Sequence, residues 1–269
     1  MPEREGNGTP LLEARGVSKH FGGLKAVDSV DMRIMPGDIF GIIGPNGAGK
    51  TTFFNLCTGI HQPTMGKIFL GGEDITGLPA ETVAGKRIAR TFQNLQLFKF
   101  MTVLENVKAG CHLKTGSNMF DAVLHTPRWR RDEAFTTEKS LEILRRVGLY
   151  DVRDVLAGTL SYGMQRKVEI ARALALDPVV LLLDEPAAGM NPQEKQTLMA
   201  YIRGINQEGH TIVVIEHDMK FIMNACNRIL VLNFGRKIFE GTPGEVKANP
   251  DVQTAYFGKG MTAREAAQS

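Results

Sequence analysis

Cysteine is scarce in this chain. The three present, Cys57, Cys111 and Cys226, stand far apart, with neither CxxC spacing nor neighbouring histidine pairs. That excludes a disulfide framework and a thiolate metal site, and leaves buried, reduced thiols as the expectation. Long apolar runs are missing too. The longest stretch without Asp, Glu, Lys or Arg is Thr51 to Gly66, sixteen residues that include Thr, Asn, Gln and Pro. A spanning helix needs roughly 18 to 20 apolar residues, so no membrane crossing is expected. No secretory pattern opens the chain: MPEREGNGTP is polar and rich in Gly and Pro, and reads as a frayed, cytoplasmic tail over residues 1–10. Nor does one charge dominate, since 32 basic residues face 29 acidic ones. A net +3 is too small for a nucleic-acid surface, and no nucleic-acid partner is expected. The one basic knot, Arg128-Trp129-Arg130-Arg131, is followed at once by Asp132 and Glu133 and reads as a solvated helix start.

What is present is a globular composition, 43% hydrophobic and 23% charged over 269 residues, enough for a substantial core. The first third reads as strands and turns: LLEARGV, VDMRIM, the turn Pro36-Gly37-Asp38, and the apolar run IFGII ending at Gly44. A run without alternation suggests a strand buried on both faces, as in a parallel sheet. A helix over Thr51 to Thr58 follows, then a strand at KIFL. Residues from about 94 to 176 change to helical texture, with Leu141, Leu144 and Val147 on one stripe, and look like an inserted helical subdomain. Its last helix is expected over Tyr162 to Leu176. The sheet resumes at VVLLLD. Asn191, Pro192 and Glu194 form a helix-start signal, with Leu198, Tyr201, Ile202 and Ile205 as the buried stripe. TIVVIEH reads as a strand, DMKFIMNAC as a helix, and RILVL with KIFEG as a hairpin over Asn233-Phe234-Gly235.

Chemistry concentrates in a few places. Gly44-Pro45-Asn46-Gly47-Ala48-Gly49-Lys50-Thr51 matches GxxxxGK[ST] and stands between a buried strand and a helix. Glycines let backbone N–H groups turn inward around phosphate oxygens, Lys50 reaches the β- and γ-phosphates, and Thr51 ligates Mg²⁺. Asp184 ends the strand Val179 to Leu183, and a carboxylate there lies on the ligand side of an α/β sheet. Asp184 suits the metal's water shell, and Glu185 suits orienting or deprotonating an attacking water. His217 ends the next strand and reaches the same sheet edge; Gln93, in RTFQN, follows a strand-like stretch. Either could equally be structural on its own. Ser161 and Gly163, in LSYGMQR, open a helix, where they make a second anion site or simply cap that helix.

Together these segments resemble the ATP-binding cassette family over residues 11 to 258, which the resemblance makes a single nucleotide-binding domain with tails at 1–10 and 259–269. GPNGAGKTT, including Thr52, is similar to the Walker A loop, Gln93 to the Q-loop, LSYGMQR to the signature and VVLLLDEP to Walker B. Ala188 to Asn191 is similar to the D-loop, His217 to the switch histidine, and Phe21 to the aromatic that stacks on adenine. Tyr162, Met164 and Asn191 depart from the common pattern. The implied fold is α/β, a RecA-like phosphate-loop NTPase core with antiparallel β elements and an inserted α-helical signature subdomain. The implied activity is ATP hydrolysis with Mg²⁺ held by Thr51, Gln93 and Asp184. The resemblance also implies sites completed in trans by Ser161 and Gly163 of a second cassette.

More narrowly, FGGLKAVDSV, RTFQNLQLFKFMTVLENV, DEPAAGMNP and GTPGEVKANPDVQTAYFG resemble the ATPases of branched-chain amino-acid importers. Importers of urea or other amides, and lipid-export ATPases, share parts of them. The implied partners are two integral membrane permeases, a second ATPase subunit in a heterodimer or homodimer, and indirectly a periplasmic or extracellular solute-binding protein. The implied location is peripheral, on the cytoplasmic face of the cell membrane. A soluble cassette acting on DNA or ribosomes fits less well: only 110 residues lie between Lys50 and Ser161, without a sustained heptad, and there is one cassette rather than two.

Overall fold

The computed structural model describes residues 8–111, 121, 124 and 126–257. Residues 1–7 of the expected first tail and all of the expected tail at 259–269 lie outside the described residues. Two sheets organise the rest. β1 (Leu12–Phe21), β2 (Leu24–Ile34), β4 (Met65–Leu70) and β5 (Glu73–Asp74) form an antiparallel sheet in the order β2-β1-β4-β5. The other sheet contains β3 (Ile39–Ile43), β6 (Ile88–Arg90), β7 (Val180–Asp184), β8 (Thr211–Ile215), β9 (Arg228–Asn233) and β10 (Arg236–Gly241), ordered β10-β9-β3-β8-β7-β6. All its pairings are parallel except β9 with β10, which form the expected hairpin.

No residue of β3, β7 or β8 is exposed, so these strands lack a solvent face and lack alternation. Their side chains divide by parity between two cores. Phe40, Ile42, Leu182, Val213 and Ile215 face α1 (Lys50–Cys57) and the antiparallel sheet, where Phe53, Phe54, Val30 and Ile68 complete the packing. Ile39, Ile43, Leu181, Leu183, Ile212 and Val214 pack against the helices of the opposite face. Those helices include α3 (Val103–Gly110), α4 (Pro127–Arg146), α5 (Tyr162–Leu174), α6 (Pro192–Gln207) and α7 (Met219–Ala225); α2 (Ala80–Gly85), α8 (Pro243–Ala248) and α9 (Pro250–Phe257) are short. Parallel strands feeding helices place the carboxyl ends of β3, β7 and β8 on one edge, where an open α/β sheet binds its ligands.

Between β6 and β7 the described residues hold α3, α4, α5 and two single 3₁₀ turns, with no strand. α6 starts as expected: Asn191 Oδ1 accepts the Glu194 amide at 3.0 Å, Glu194 returns the bond at 2.9 Å, and Pro192 takes the first helical position. Several helix ends differ from expectation by one or two residues, α1 closing at Cys57 and α7 running over Met219–Ala225. α1 begins one residue early because the Gly49 carbonyl already accepts the Phe53 amide at 2.8 Å. α5 stops at Leu174, and the chain then reverses through Asp177, whose φ is 53°. Arg128 to Arg131 fall within the first turns of α4, which Thr126 caps. All three cysteines are buried and unpaired.

Candidate functional site

The loop after β3 leads directly into α1, and its glycines are dictated by space. A Cβ on Gly44 would come within 2.2 Å of the Leu232 carbonyl oxygen. Gly49 caps α1 at φ 93°, and a Cβ there would meet the Ala26 carbonyl oxygen at 2.4 Å. α1 has no side-chain cap and no acid in its first turn, so its amides and positive end remain available to an anion. The hairpin tip braces the loop from outside: Gly235 N–H donates to the Ala48 carbonyl at 3.0 Å, and Asp28 N–H to the Gly235 carbonyl at 2.8 Å.

Asn46 to Thr52 line a cavity of about 490 Å³, with Leu24, Lys25 and Ala26 on one flank and Gln93 and Glu185 on another. Gly44 and Pro45 lie outside that lining. Their carbonyls accept from Lys50 Nζ, at 2.7 and 3.0 Å, so the ammonium folds back on its own loop. Burial holds Lys50 below the ordinary lysine range, against the opposing pull of Glu185 and Asp184.

Three sequence-predicted residues meet at the cavity edge. Glu185, in a left-handed backbone conformation at φ 44°, accepts from Gln93 Nε2 at 3.0 Å. His217 Nδ1 lies 3.8 Å from the same carboxylate oxygen, Oε2. A positive φ is uncommon outside glycine, and here it turns the side chain away from the strand line just after β7. The Glu185 amide is meanwhile fixed to the Ile215 carbonyl at 2.9 Å.

Asp184 is buried at the end of β7, and Arg90 Nη2 donates to its Oδ2 at 2.8 Å. Burial raises the Asp184 pKa and the Arg90 guanidinium counters that rise. Arg90 takes one of the two carboxylate oxygens. The Thr51 hydroxyl, the Gln93 amide oxygen and Asp184 are hard oxygen donors of the kind Mg²⁺ prefers. Among the described residues no group of three or more His, Cys, Asp or Glu could hold a metal. A Mg²⁺ at this place therefore fits as an ion completed by water and phosphate oxygens.

Two predicted elements are not brought to the cavity. Phe21 ends β1 outside its lining, half-exposed, with its ring edge-on to His61 at 5.5 Å and Lys19 Nζ 5.1 Å from its centroid. Ser161 and Gly163 likewise line no part of it. Ser161 is exposed and its Oγ accepts the Met164 amide at 3.4 Å, so it caps its own helix while remaining open to solvent.

Sequence reasoning missed Arg90, Arg166 and Glu216. Arg90 sits between the rings of Phe54 and Phe92, at 4.9 and 5.2 Å, and its Nη1 donates to Asn55 Oδ1 at 2.6 Å. Arg166 is fully buried, paired with Glu169 at 2.6 Å, and donates to the Phe92 and Gln93 carbonyls at 2.9 and 3.0 Å. Glu216 accepts the Ala187 amide at 2.7 Å. For Arg90 and Glu216 the available signal was a charge closing a short apolar run, as in IAR and IVVIE.

Fold and site define a phosphate-loop nucleotide-binding protein, and comparison with known proteins narrows the class. The family model described as ABC transporter matches residues 27–188, and the one described as Branched-chain amino acid ATP-binding cassette transporter matches residues 236–261. The chain belongs to the ABC transporter family. It is 45% identical over 251 residues to the high-affinity branched-chain amino acid transport ATP-binding protein BraF of Pseudomonas aeruginosa, covering 93% of this chain and 98% of that one. With LivG of Escherichia coli, which carries the same description, identity is 43% over the same shares. A solved structure, the ADP conformation of an ATP-binding cassette of an ABC transporter, superposes with a TM-score of 0.83 at 32% identity, covering 94% of this chain and all of that one. Among the described residues no helix is long and apolar enough to cross a membrane.

Proposed function

We propose that this chain is the ATP-hydrolysing subunit of a branched-chain amino-acid importer, working peripherally at the cytoplasmic face of the membrane. The observation that carries the hydrolytic half is the meeting of Gln93, Glu185 and His217 beside a phosphate loop whose helix start has no side-chain cap and no acid in its first turn. The loop amides and Lys50 bind the phosphates, and Lys50 exchanges the Gly44 and Pro45 carbonyls for them. Glu185 orients or deprotonates the attacking water, while Gln93 and His217 hold its carboxylate in place. Thr51, Gln93 and Asp184 would hold Mg²⁺, which would supply neutralisation of phosphate charge. Residues 11–258 act as one nucleotide-binding domain, with the helical subdomain at about 94–176.

Ser161 and Gly163 complete the site of a second cassette, in a heterodimer or homodimer, so that ATP joins the two chains and hydrolysis releases them. Two permeases convert that closure into alternating access, and a solute-binding protein delivers solute outside. What supports the amino-acid substrate is the description of BraF and LivG and the family match at 236–261.

The test is uptake of labelled leucine, isoleucine and valine in cells with and without the intact chain. Uptake lost on deletion, restored by the wild-type chain and not by Lys50→Ala supports the reading. Unchanged uptake of all three on deletion overturns the substrate.

A further inference from the structure

Glu216 is 1% exposed, yet it follows four apolar side chains, Ile212 to Ile215, and the scheme above does not use it. It stands directly after β8, one position before His217, and β8 pairs with β7, whose end carries Asp184. Its Oε1 accepts the Ala187 amide at 2.7 Å. Its Oε2 accepts the His217 amide at 3.2 Å and lies 3.7 Å from His217 Nδ1.

A buried carboxylate is costly unless donors meet it, and an aliphatic side chain would extend the core here without that cost. Burial raises the Glu216 pKa and nearby Glu185 adds to the rise, while the two amides and His217 oppose it. What the carboxylate supplies is two acceptors spaced to reach two loops at once. One is the loop after β7, which carries Glu185 and continues through Ala187. The other is the loop after β8, which carries His217. The Glu185 amide bond to Ile215 ties the same two loops from the backbone side.

We infer that Glu216 is a positioning residue for hydrolysis: its carboxylate pins the Glu185 loop to the His217 loop and so sets the geometry in which those side chains meet the attacking water. The inference rests on the roles of Glu185 and His217 proposed above and deepens them. Glu216 does not line the phosphate cavity. It acts through the two backbone segments, where misplacement of about 1 Å is enough to slow the chemical step.

The experiment is a double-mutant cycle on the full-length chain, crossing Glu216→Gln with His217→Ala. Glutamine keeps the size and one acceptor, but its amide NH₂ faces an N–H that it cannot accept. The expected result for Glu216→Gln is a kcat lower by about ten- to a hundredfold. ATP affinity stays within about twofold, since the phosphate loop is untouched. In the His217→Ala background the further loss is smaller, because the part of the geometry that placed His217 is gone and only the placement of Glu185 remains to lose. Glu216→Asp, which keeps the charge on a shorter arm, retains more activity than Glu216→Gln.

Additive losses in the cycle, or equal losses of kcat, affinity and thermal midpoint, would make Glu216 a packing residue and overturn the inference. Normal kcat in Glu216→Gln overturns it as well. Normal turnover in His217→Ala alone removes the role assigned to His217, and the inference falls with it. A failure confined to Glu216 is thus distinguishable from a failure of the site assignment.

Discussion

Gln93 Nε2 donates to Glu185 Oε2 at 3.0 Å, joining a residue just beyond β6 to one just beyond β7. The bond engages one carboxylate oxygen of Glu185, a residue that lines the phosphate cavity. Glu185→Gln preserves an acceptor for Gln93 but removes the anionic base. Hydrolysis is expected to fall at least about 100-fold, the usual contribution of such a group, while ATP binding persists. Single-turnover hydrolysis and fluorescent-nucleotide binding, measured on the partner-assembled variant, separate the two quantities. Normal turnover would remove Glu185 from the chemistry.

Lys50 should behave in the opposite way. Its ammonium is buried and held by two loop carbonyls, at 2.7 and 3.0 Å, within reach of any anion that enters the loop. Charge-assisted bonds of this kind contribute enough that Lys50→Ala should weaken ATP binding by at least about tenfold. Calorimetric titration of the isolated chain measures this directly. Unchanged affinity would show that the loop amides alone hold the phosphates.

The thiols give a test of the packing. Burial pushes Cys57 and Cys226 up to about 12, and Cys111 is fully buried against Ser140. At pH 8 a thiol of pKa 12 is thiolate in roughly one part in ten thousand, and it is also inaccessible. Maleimide should therefore leave all three unmodified in the folded chain and label all three in concentrated urea, counted by mass spectrometry. Rapid labelling of any one in the folded state would contradict the burial.

Much of this architecture is readable because burial leaves traces in local sequence. β3, β7 and β8 are continuous apolar runs since both their faces are covered, and Asn191-Pro192-Glu194 marks α6 through a reciprocal cap. The same kind of cap, Thr242 with Glu245, starts α8. β6 and α2 are too short to show a period. The phosphate loop is legible because contacts within a few residues define it. Arg90 is not, because its partner Asp184 is 94 positions away, and Glu216 is not, because Ala187 is 29 positions away. Ser161 caps its own helix, the plainer of its two expected roles, and is exposed; Phe21 lies outside the cavity lining that its likeness suggested.

That exposure of Ser161 leads to a test of the composite site. In mixed dimers of two copies, one wild type and one carrying both Lys50→Ala and Ser161→Arg, action in trans leaves neither site complete. Each site then lacks either its lysine or its serine. Activity should be abolished, whereas action in cis leaves the wild-type copy's own site at work. Half of wild-type ATPase activity in purified mixed dimers would place Ser161 beside its own phosphate loop.

The remaining prediction concerns coupling to the membrane, and it starts from the segment after Gln93. Leu95 and Leu97 are half-buried, and Leu97 packs on the core, but Phe98 is 50% exposed and Phe100 is 95% exposed. Core packing therefore accounts for the leucines and not for the phenylalanines. The exposed rings have company: Met101, Val155 and Leu156 are exposed as well, and backbone bonds from Ala157 to Met101 and from Gly158 to Lys99 hold the two segments side by side. Asn106 locks the turn by donating to the Phe98 carbonyl at 3.0 Å, so the apolar surface sits on fixed backbone. Arg172 lies over the Phe98 ring at 5.7 Å and gives the patch a polar border. Apolar anchors within a polar rim suit an amphipathic helix laid across them. Phe98→Asp places a charge on the patch without disturbing the phosphate cavity, which this residue does not line. The expected variant folds, binds ATP like wild type, no longer co-purifies with the permeases and supports no leucine, isoleucine or valine uptake. Phe100→Ser, at a more exposed position, should reduce co-purification by a smaller amount. Full uptake in cells carrying Phe98→Asp would remove this surface from the coupling path, whatever the substrate proves to be.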